Sequence, residues 1–251
     1  MVERTKHFAI IPARAGSKSF PKKNQYFFNF TADFLESSGL FDGILVSSDD
    51  EVILNWAADR GHFCRQRDEP LASDSSHIRD AIVDLIDHAP HVHERDYLWL
   101  TYTTTIHKDL DDFRSVRRLV DEISPPAFCT FIPVATHPYI AWYQDKETHE
   151  MRQYIPNDAV NRQEFPPAWR NYHYVIGFRA DVVECLNGNL LGAETYPIFL
   201  SEKQTRALCD LDSPSDIERW KLKHPEEFSR WQKTLPTELD RVPIAAFLDD
   251  N

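Results

Sequence analysis

Short apolar runs alternate along the chain with longer segments in which apolar positions recur every three or four residues. Phe8–Ala13, Gly43–Ser47, Tyr97–Thr101 and Phe128–Val134 are nearly continuous in apolar character and predict buried strands. Thr31–Ser38, Asp50–Arg60, Ile78–His88 and Leu110–Ile123 carry the helical period. This alternation predicts an α/β fold, a mainly parallel sheet flanked by helices. From Thr136 to Arg170 the rhythm stops, and Pro, Asn, Gln and aromatic residues rise. It resumes with strands at Tyr174–Phe178 and Arg206–Leu211, then a C-terminal helix that opens at Ser213-Pro214 and carries Trp220 and Trp231. Residues 1–135 and 173–251 therefore read as one core, and 136–172 as an insert.

Composition narrows the function. In 251 residues, 28 Lys and Arg face 40 Asp and Glu, a net charge of −12, so nucleic acid is not an expected partner. Hydrophobic residues at 42% and charged residues at 27% exclude a disordered or collagen-like chain. Nothing approaches the ~20 apolar residues of a membrane span, and MVERTK leads into a strand without a signal-peptide core, so no membrane association and a cytoplasmic location are expected. Cys64, Cys129, Cys185 and Cys209 lie far apart, which argues against a disulfide framework and a zinc site alike.

Against that acidic background, the loop after the first strand reverses sign. In Ala9–Asn24, Ala13, Ala15, Gly16 and Ser17 are small enough for backbone N–H groups to approach a phosphate, and Arg14, Lys18, Lys22 and Lys23 surround it with charge. The spacing is neither that of a Walker A loop nor of GxGxxG, and a merely solvated basic loop is the competing reading. Asp210 and Asp212 supply a second element. On a strand over Leu208–Leu211 they would share one face, two carboxylates able to hold Mg²⁺ with water and phosphate oxygens. Ser213, Pro214 and Asp216 read instead as helix cap, first turn and capping acid. His88, His91 and His93 lack carboxylate or cysteine company and read as an ordinary helix end. The aromatic stretch His137–Tyr143 reads as dimer packing rather than a base-stacking platform.

Taken in order, these segments resemble the acylneuraminate (CMP-sialic acid) cytidylyltransferase family. Its opening motif is similar to Ile11-Pro12-Ala13-Arg14-Ala15-Gly16-Ser17-Lys18 followed by Pro21-Lys22-Lys23-Asn24. Leu40-Phe41-Asp42 leading to Val46-Ser47-Ser48-Asp49-Asp50, Arg67 with Leu71-Ala72-Ser73-Asp74, Arg162-Gln163 with Pro166, and Asp210-Leu211-Asp212-Ser213-Pro214 continue the likeness. The resemblance implies a Rossmann-like fold with a small dimerisation insert. It implies transfer of CMP from CTP to a nonulosonic acid, releasing pyrophosphate, with Mg²⁺ as cofactor and a homodimer as the working unit. Arg14, Lys18 and Lys23 would then hold the triphosphate and carry catalysis. Ala13, Gly16, Ser17, Asn24, Arg67 and Ser76 would bind the nucleotide, and Asp210 and Asp212 the metal. Thr101, Tyr102, Thr104, Arg162 and Gln163 would face the acidic keto-sugar, the last two from the partner subunit.

The chain departs from that pattern unevenly. Ala15-Gly16 stands where the family has Gly-Gly, and a left-handed Ala15 would carry roughly 1–2 kcal/mol of strain. Leu98–Ile106 lacks both prolines of the corresponding sugar-side motif, and Tyr172-His173 replaces Asn-Gly, which predicts a narrowed or re-routed acceptor pocket. Two rivals follow: a non-catalytic relative that binds CTP or a CMP-sugar, and an enzyme for another 3-deoxy-2-keto acid such as Kdo.

Overall fold

A computed structural model describes residues 4–73, 75–159, 161–237, 239 and 244–245. Asp74 of the Leu71–Asp74 motif lies outside them. The first strand, β1 (His7–Ala13), is buried at every position. Its alternation serves two cores: Phe8 and Ile10 face one helical layer, Ala9, Ile11 and Ala13 the other.

Helix α1 (Lys23–Ser38) leads to β2 (Gly43–Ser48), α2 (Glu51–Asp59) and β3 (Phe63–Gln66). The short α3 (Glu69–Ala72) and α4 (Ile78–Asp87) return the chain to β4 (Tyr97–Leu100). Then come α5 (Leu110–Ile123) and β5 (Ala127–Pro133). Beyond the insert lie β8 (Trp169–Arg179), β9 (Thr195–Phe199) and the helices α6 (Glu202–Ala207), α7 (Asp216–Lys223) and α8 (Pro225–Thr234). The insert carries a small exposed hairpin, β6 (Trp142–Gln144) and β7 (Met151–Gln153).

The seven-stranded sheet runs β3-β2-β1-β4-β8-β5-β9. Every pairing is parallel except those of β8, which runs antiparallel between β4 and β5. The expected α/β, mainly parallel Rossmann-like architecture is what forms. Gly177 sits at the tightest point of β8: a Cβ there would lie 2.4 Å from Phe128 Cζ and 2.9 Å from the Leu98 carbonyl oxygen.

Helix α4 covers one sheet face with Ile82 and Leu85, while α1 and α2 cover the other with Ala32, Leu35, Ile53 and Ala57. Helix α5 packs Phe113, Val116 and Val120 on Trp99 and Phe128. A fourth cluster joins the two ends of the chain. Phe20, Tyr26 and Phe27 meet Trp220, Phe228 and Trp231, and Trp231 Nε1 donates to the Tyr26 carbonyl at 2.7 Å.

Several sequence expectations need correction. Helix α1 begins at Lys23 rather than Thr31, because its first turn buries Tyr26, Phe27 and Phe28 in an aromatic run without helical periodicity. The strand expected at Arg206–Leu211 is absent. Ser201 and Gln204 form a capping box that starts α6 there, and only a single bridge pairs Asp210 with Thr105. The single C-terminal helix is two, broken at His224-Pro225, where proline opens α8. Strands β3 and β9 and helix α6 escaped the pattern, being short and only partly buried. Strand β8 starts at Trp169, inside the predicted insert, opposite Pro133. Among the described residues no helix is long and apolar enough to cross a membrane.

Candidate active site

The parallel strands deliver their C-terminal ends to one rim. Beyond Ala13 the chain enters the basic loop, and two carboxylates tie it down. Ala15 N–H donates to Asp49 Oδ1 at 2.8 Å, and Gln25 Nε2 on α1 donates to Asp50 Oδ2 at 2.7 Å. Ala15 does not take a left-handed conformation; that duty falls to Lys22 (φ 58°), the residue that caps α1. The anticipated strain at Ala15 is therefore absent. The Cβ position of Gly16 meets nothing within 4 Å, so the loop presents an open backbone surface.

Two adjoining clefts share this loop. The outer one, about 340 Å³, is lined by Arg14, Gly16, Ser17, Lys18, Lys23 and Asn24. The inner one, about 360 Å³, keeps Arg14, Lys23 and Asn24 and adds Arg67, Ser76, Tyr102 and Thr104. Ten residues singled out by sequence thus meet in one continuous groove.

Their partners define what each can still do. Asn24 spends its amide on the protein, donating to the Arg14 carbonyl at 2.7 Å and accepting from Thr103 Oγ1 at 2.6 Å, so it braces the loop against the β4 end. Arg67 is only 7% exposed, with Nε donating to Ser47 Oγ at 2.8 Å and Nη2 buried without a protein partner. Burial holds its guanidinium below the usual arginine range, partly offset by Asp49. A buried orphan donor on a cleft wall is a ligand-binding signal. Ser76 Oγ donates to the Leu71 and Ser73 carbonyls at 2.9 and 2.8 Å.

The sugar-side positions divide. Tyr102 lines the inner cleft and stacks on His173, ring centroids 5.9 Å apart and planes 6° off parallel. Burial pushes the Tyr102 hydroxyl up to about 12, so it is protonated at neutral pH. His173 Nε2 lies 3.1 Å from the Asn189 carbonyl, which anchors the ring. Thr104 reaches the cleft, whereas Thr101 is buried, its hydroxyl without a partner. Ala13 is buried at the strand end and contributes backbone only. Arg162 and Gln163 lie in an exposed turn of the insert and line neither cleft.

Asp210 and Asp212 do not share a strand face, because the strand is missing. Asp210 accepts from Thr105 Oγ1 at 3.0 Å and from the Tyr172 hydroxyl. Asp212 is 83% exposed and sits 3.5 Å from Lys23 Nζ, while Ser19 Oγ donates to its carbonyl at 2.9 Å. The cap expected at Ser213 is displaced: α7 opens at Asp216 behind Ser215, without a side-chain cap bond, and the Asp216 carboxylate instead accepts from the N–H groups of Asp212 and Ser213 at 3.0 and 2.8 Å. Sequence reasoning missed Tyr172 and Thr105 as the hydroxyls that orient Asp210. Both stood in motifs already singled out, but their pairing is a long-range event with no local signal.

The arrangement can hold an extended polyanion: cations and open backbone at one end, a buried guanidinium at the other, and the Asp212 carboxylate beside Lys23. The family model described as cytidylyltransferase matches residues 8–93. The pseudaminic acid cytidylyltransferase of Campylobacter jejuni is 35% identical over 88 residues, 31% of this chain and 38% of that protein. The N-acylneuraminate cytidylyltransferase of Streptococcus agalactiae is 24% identical over 172 residues, 65% of this chain and 41% of that protein. The chain thus spans about two fifths of the length of these curated relatives. Among solved structures, the CMP:2-keto-3-deoxy-manno-octonic acid synthetase complexed with CTP superposes with a TM-score of 0.59 at 13% identity, covering 89% of this chain and all of that one. The 2-C-methyl-D-erythritol 4-phosphate cytidylyltransferase of Francisella tularensis gives 0.57 at 12% identity, over 87% of this chain and 100% of that one. These two likenesses establish a shared fold.

Proposed function

We propose, from the premise that the chain is a divergent member of the cytidylyltransferase family, that it activates an acidic 3-deoxy-2-keto sugar of the nonulosonic type with CTP. The products are a CMP-sugar and pyrophosphate. The observation that carries the reading is the convergence of Arg14, Lys18 and Lys23 with the buried, unpartnered Arg67 Nη2 on one groove at the parallel strand ends.

In this reading the triphosphate lies along the outer cleft, against Arg14, Lys18, Lys23 and the open backbone at Gly16 and Ser17. The nucleoside enters the inner cleft toward Arg67 and Ser76. An anomeric hydroxyl attacks the α-phosphorus in line, the bond to the bridging oxygen breaks, and the hydroxyl proton passes to solvent as pyrophosphate leaves. The protein's work is positioning and charge neutralisation, which lysine and arginine supply.

Mg²⁺ belongs to this proposal. Asp212, beside the Lys23 ammonium, and Asp210, two residues earlier, offer the hard oxygen donors that ion takes, and each oxygen of Asp210 keeps a lone pair beyond its hydroxyl bond. Asp210 and Asp212 would hold it, and it would neutralise phosphate charge.

The insert supports a homodimer, since it exposes Ile140, Trp142, Tyr143, Met151 and Tyr154. Arg162 and Gln163 would then serve the partner's acceptor. Four free cysteines suit a reducing cytoplasm. Pyrophosphate release from CTP with Mg²⁺, run against a panel of nonulosonic acids and Kdo with UTP and ATP as controls, tests the reading. CTP-specific release with one acid establishes it. CTP binding without release with any acid would favour the non-catalytic relative, which the Tyr102–His173 stack in the acceptor region keeps in contention.

A further inference from the structure

A second cavity, about 290 Å³, opens between α1, the segment before α5, and α8. Phe30, Phe34 and Ile106 form an apolar wall, and Lys108, Arg230 and Lys233 bring three cations. Such a gathering in a chain of net charge −12 is a second local reversal of sign. Lys108 is the unusual member. It is only 9% exposed, and its ammonium donates to the Thr105 carbonyl at 2.6 Å. Burial draws it down to about 7, with Glu227 and Asp210 offsetting only part of that cost.

The acids lining the cavity are already engaged. Asp33 pairs with Arg60 at 2.8 Å. Glu227 lies 3.1 Å from His107 Nδ1 through both oxygens and accepts from Trp220 Nε1 at 3.2 Å. His107, His224 and Glu227 do not form a metal site as they stand. The imidazoles stack with centroids 4.0 Å apart and planes 12° off parallel, so their in-plane lone pairs cannot meet at one ion. No carboxylate oxygen of the described residues lies within 4.0 Å of the Lys108, Arg230 or Lys233 charges. A buried ammonium with no carboxylate of the described residues at ion-pair distance, Glu227 and Asp210 acting on it only from further away, is complementary beside an apolar wall to an amphipathic anion.

We propose that this cavity is a binding site for a small organic anion with an apolar, ring-sized body. The anionic group sits against Lys108, the rim cations Arg230 and Lys233 assist, and the body rests on Phe30, Phe34 and Ile106. The site is separate from the nucleotide groove, and its test involves no turnover.

The probe is 1-anilinonaphthalene-8-sulfonate, with N-phenyl-1-naphthylamine as the matched dye lacking the sulfonate, titrated by fluorescence into the folded full chain at pH 6.5. One equivalent of the sulfonate should bind at least tenfold more tightly than the neutral dye. Lys108→Met should weaken the sulfonate at least tenfold and erase the difference between dyes. Arg230→Gln with Lys233→Gln should weaken it several-fold, and Lys23→Gln should leave it unchanged. Equal affinity for both dyes overturns the proposal, as does loss of sulfonate binding in Lys23→Gln. Should Lys108→Met lose its near-ultraviolet circular dichroism, the surface double variant decides: unchanged sulfonate affinity there defeats the site.

Discussion

Lys23 Nζ lies 3.5 Å from the Asp212 carboxylate, joining the basic loop after β1 to an acidic turn almost two hundred residues further along the chain. Neither group is spent by the contact. Asp212 is mostly in water, where a single ion pair contributes little stability, so the pairing sets the two charges beside one groove. Asp212→Ala should abolish Mg²⁺-dependent pyrophosphate release while changing unfolding free energy by less than about 0.5 kcal/mol. Activity over a Mg²⁺ titration and urea denaturation check both halves. An active variant removes the metal assignment.

Arg67 presents a buried, unpaired Nη2 to the inner cleft. A charged hydrogen bond of this kind contributes roughly 1.5–3 kcal/mol, so Arg67→Met should weaken CTP binding by about 10- to 100-fold. Calorimetric titration of CTP measures it. An unchanged affinity would make Arg67 a structural partner of Ser47 alone.

His173 stacks on Tyr102 where the acceptor is expected. His173→Gly should open that wall and change the KM for the sugar acid at least fivefold, leaving the KM for CTP within twofold. Steady-state kinetics with each substrate varied separates the two. A matching change in both constants would mean that the ring only supports the β8 backbone.

His7 gives a pH-dependent stability. Its Nδ1 accepts from Trp99 Nε1 at 3.0 Å, so the proton resides on Nε2, 3.2 Å from Asp121. Burial, with Arg117 adding to it, lowers the imidazole to about 4. The folded state resists a proton that the unfolded chain takes up near 6.5. Stability from this group is therefore complete above that value and declines as pH falls toward 4, by about 3 kcal/mol. Urea denaturation at pH 7 and pH 4 should show the wild type losing more than His7→Gln by that amount. Parallel losses would refute it.

The insert should be dispensable for folding. Pro133 on β5 pairs with Trp169 on β8, and Val134 N–H donates to the Ala168 carbonyl at 3.2 Å, so two antiparallel strands already face each other at its base. Replacing residues 135–167 by Asn-Gly, a turn suited to such strands, should leave a cooperative thermal transition. Light scattering should then report a monomer for this variant and a dimer for the full chain. A chain that fails to fold would make the insert part of the core.

The inner strands of the sheet were legible because they are buried and read as nearly continuous apolar runs, as at Phe8–Ala13, whereas the edge strands β3 and β9 are only partly buried. Helix α1 was misjudged at its start because Tyr26, Phe27 and Phe28 bury three successive residues, and such a run hides the period. The groove was legible as a set: Arg14, Lys18, Lys23, Arg67 and Ser76 were all named from sequence and all line it. The environment of Asp210 was not, since Thr105 and Tyr172 reach it across 105 and 38 residues of chain. Lys108 was missed for a related reason. A lysine in a polar stretch reads as solvated until tertiary packing buries it.

The bond from Trp231 to the Tyr26 carbonyl spans 205 residues. During synthesis the chain emerges N-terminus first, so Phe20, Tyr26 and Phe27 must remain uncovered until α7 and α8 have left the ribosome. The most aromatic part of α1 is thus the last to be sheltered. Closing so long a loop adds delay to that exposure. The nascent chain carries this uncovered aromatic patch beside the same loop that forms the groove, and removing α7 and α8 would leave it uncovered.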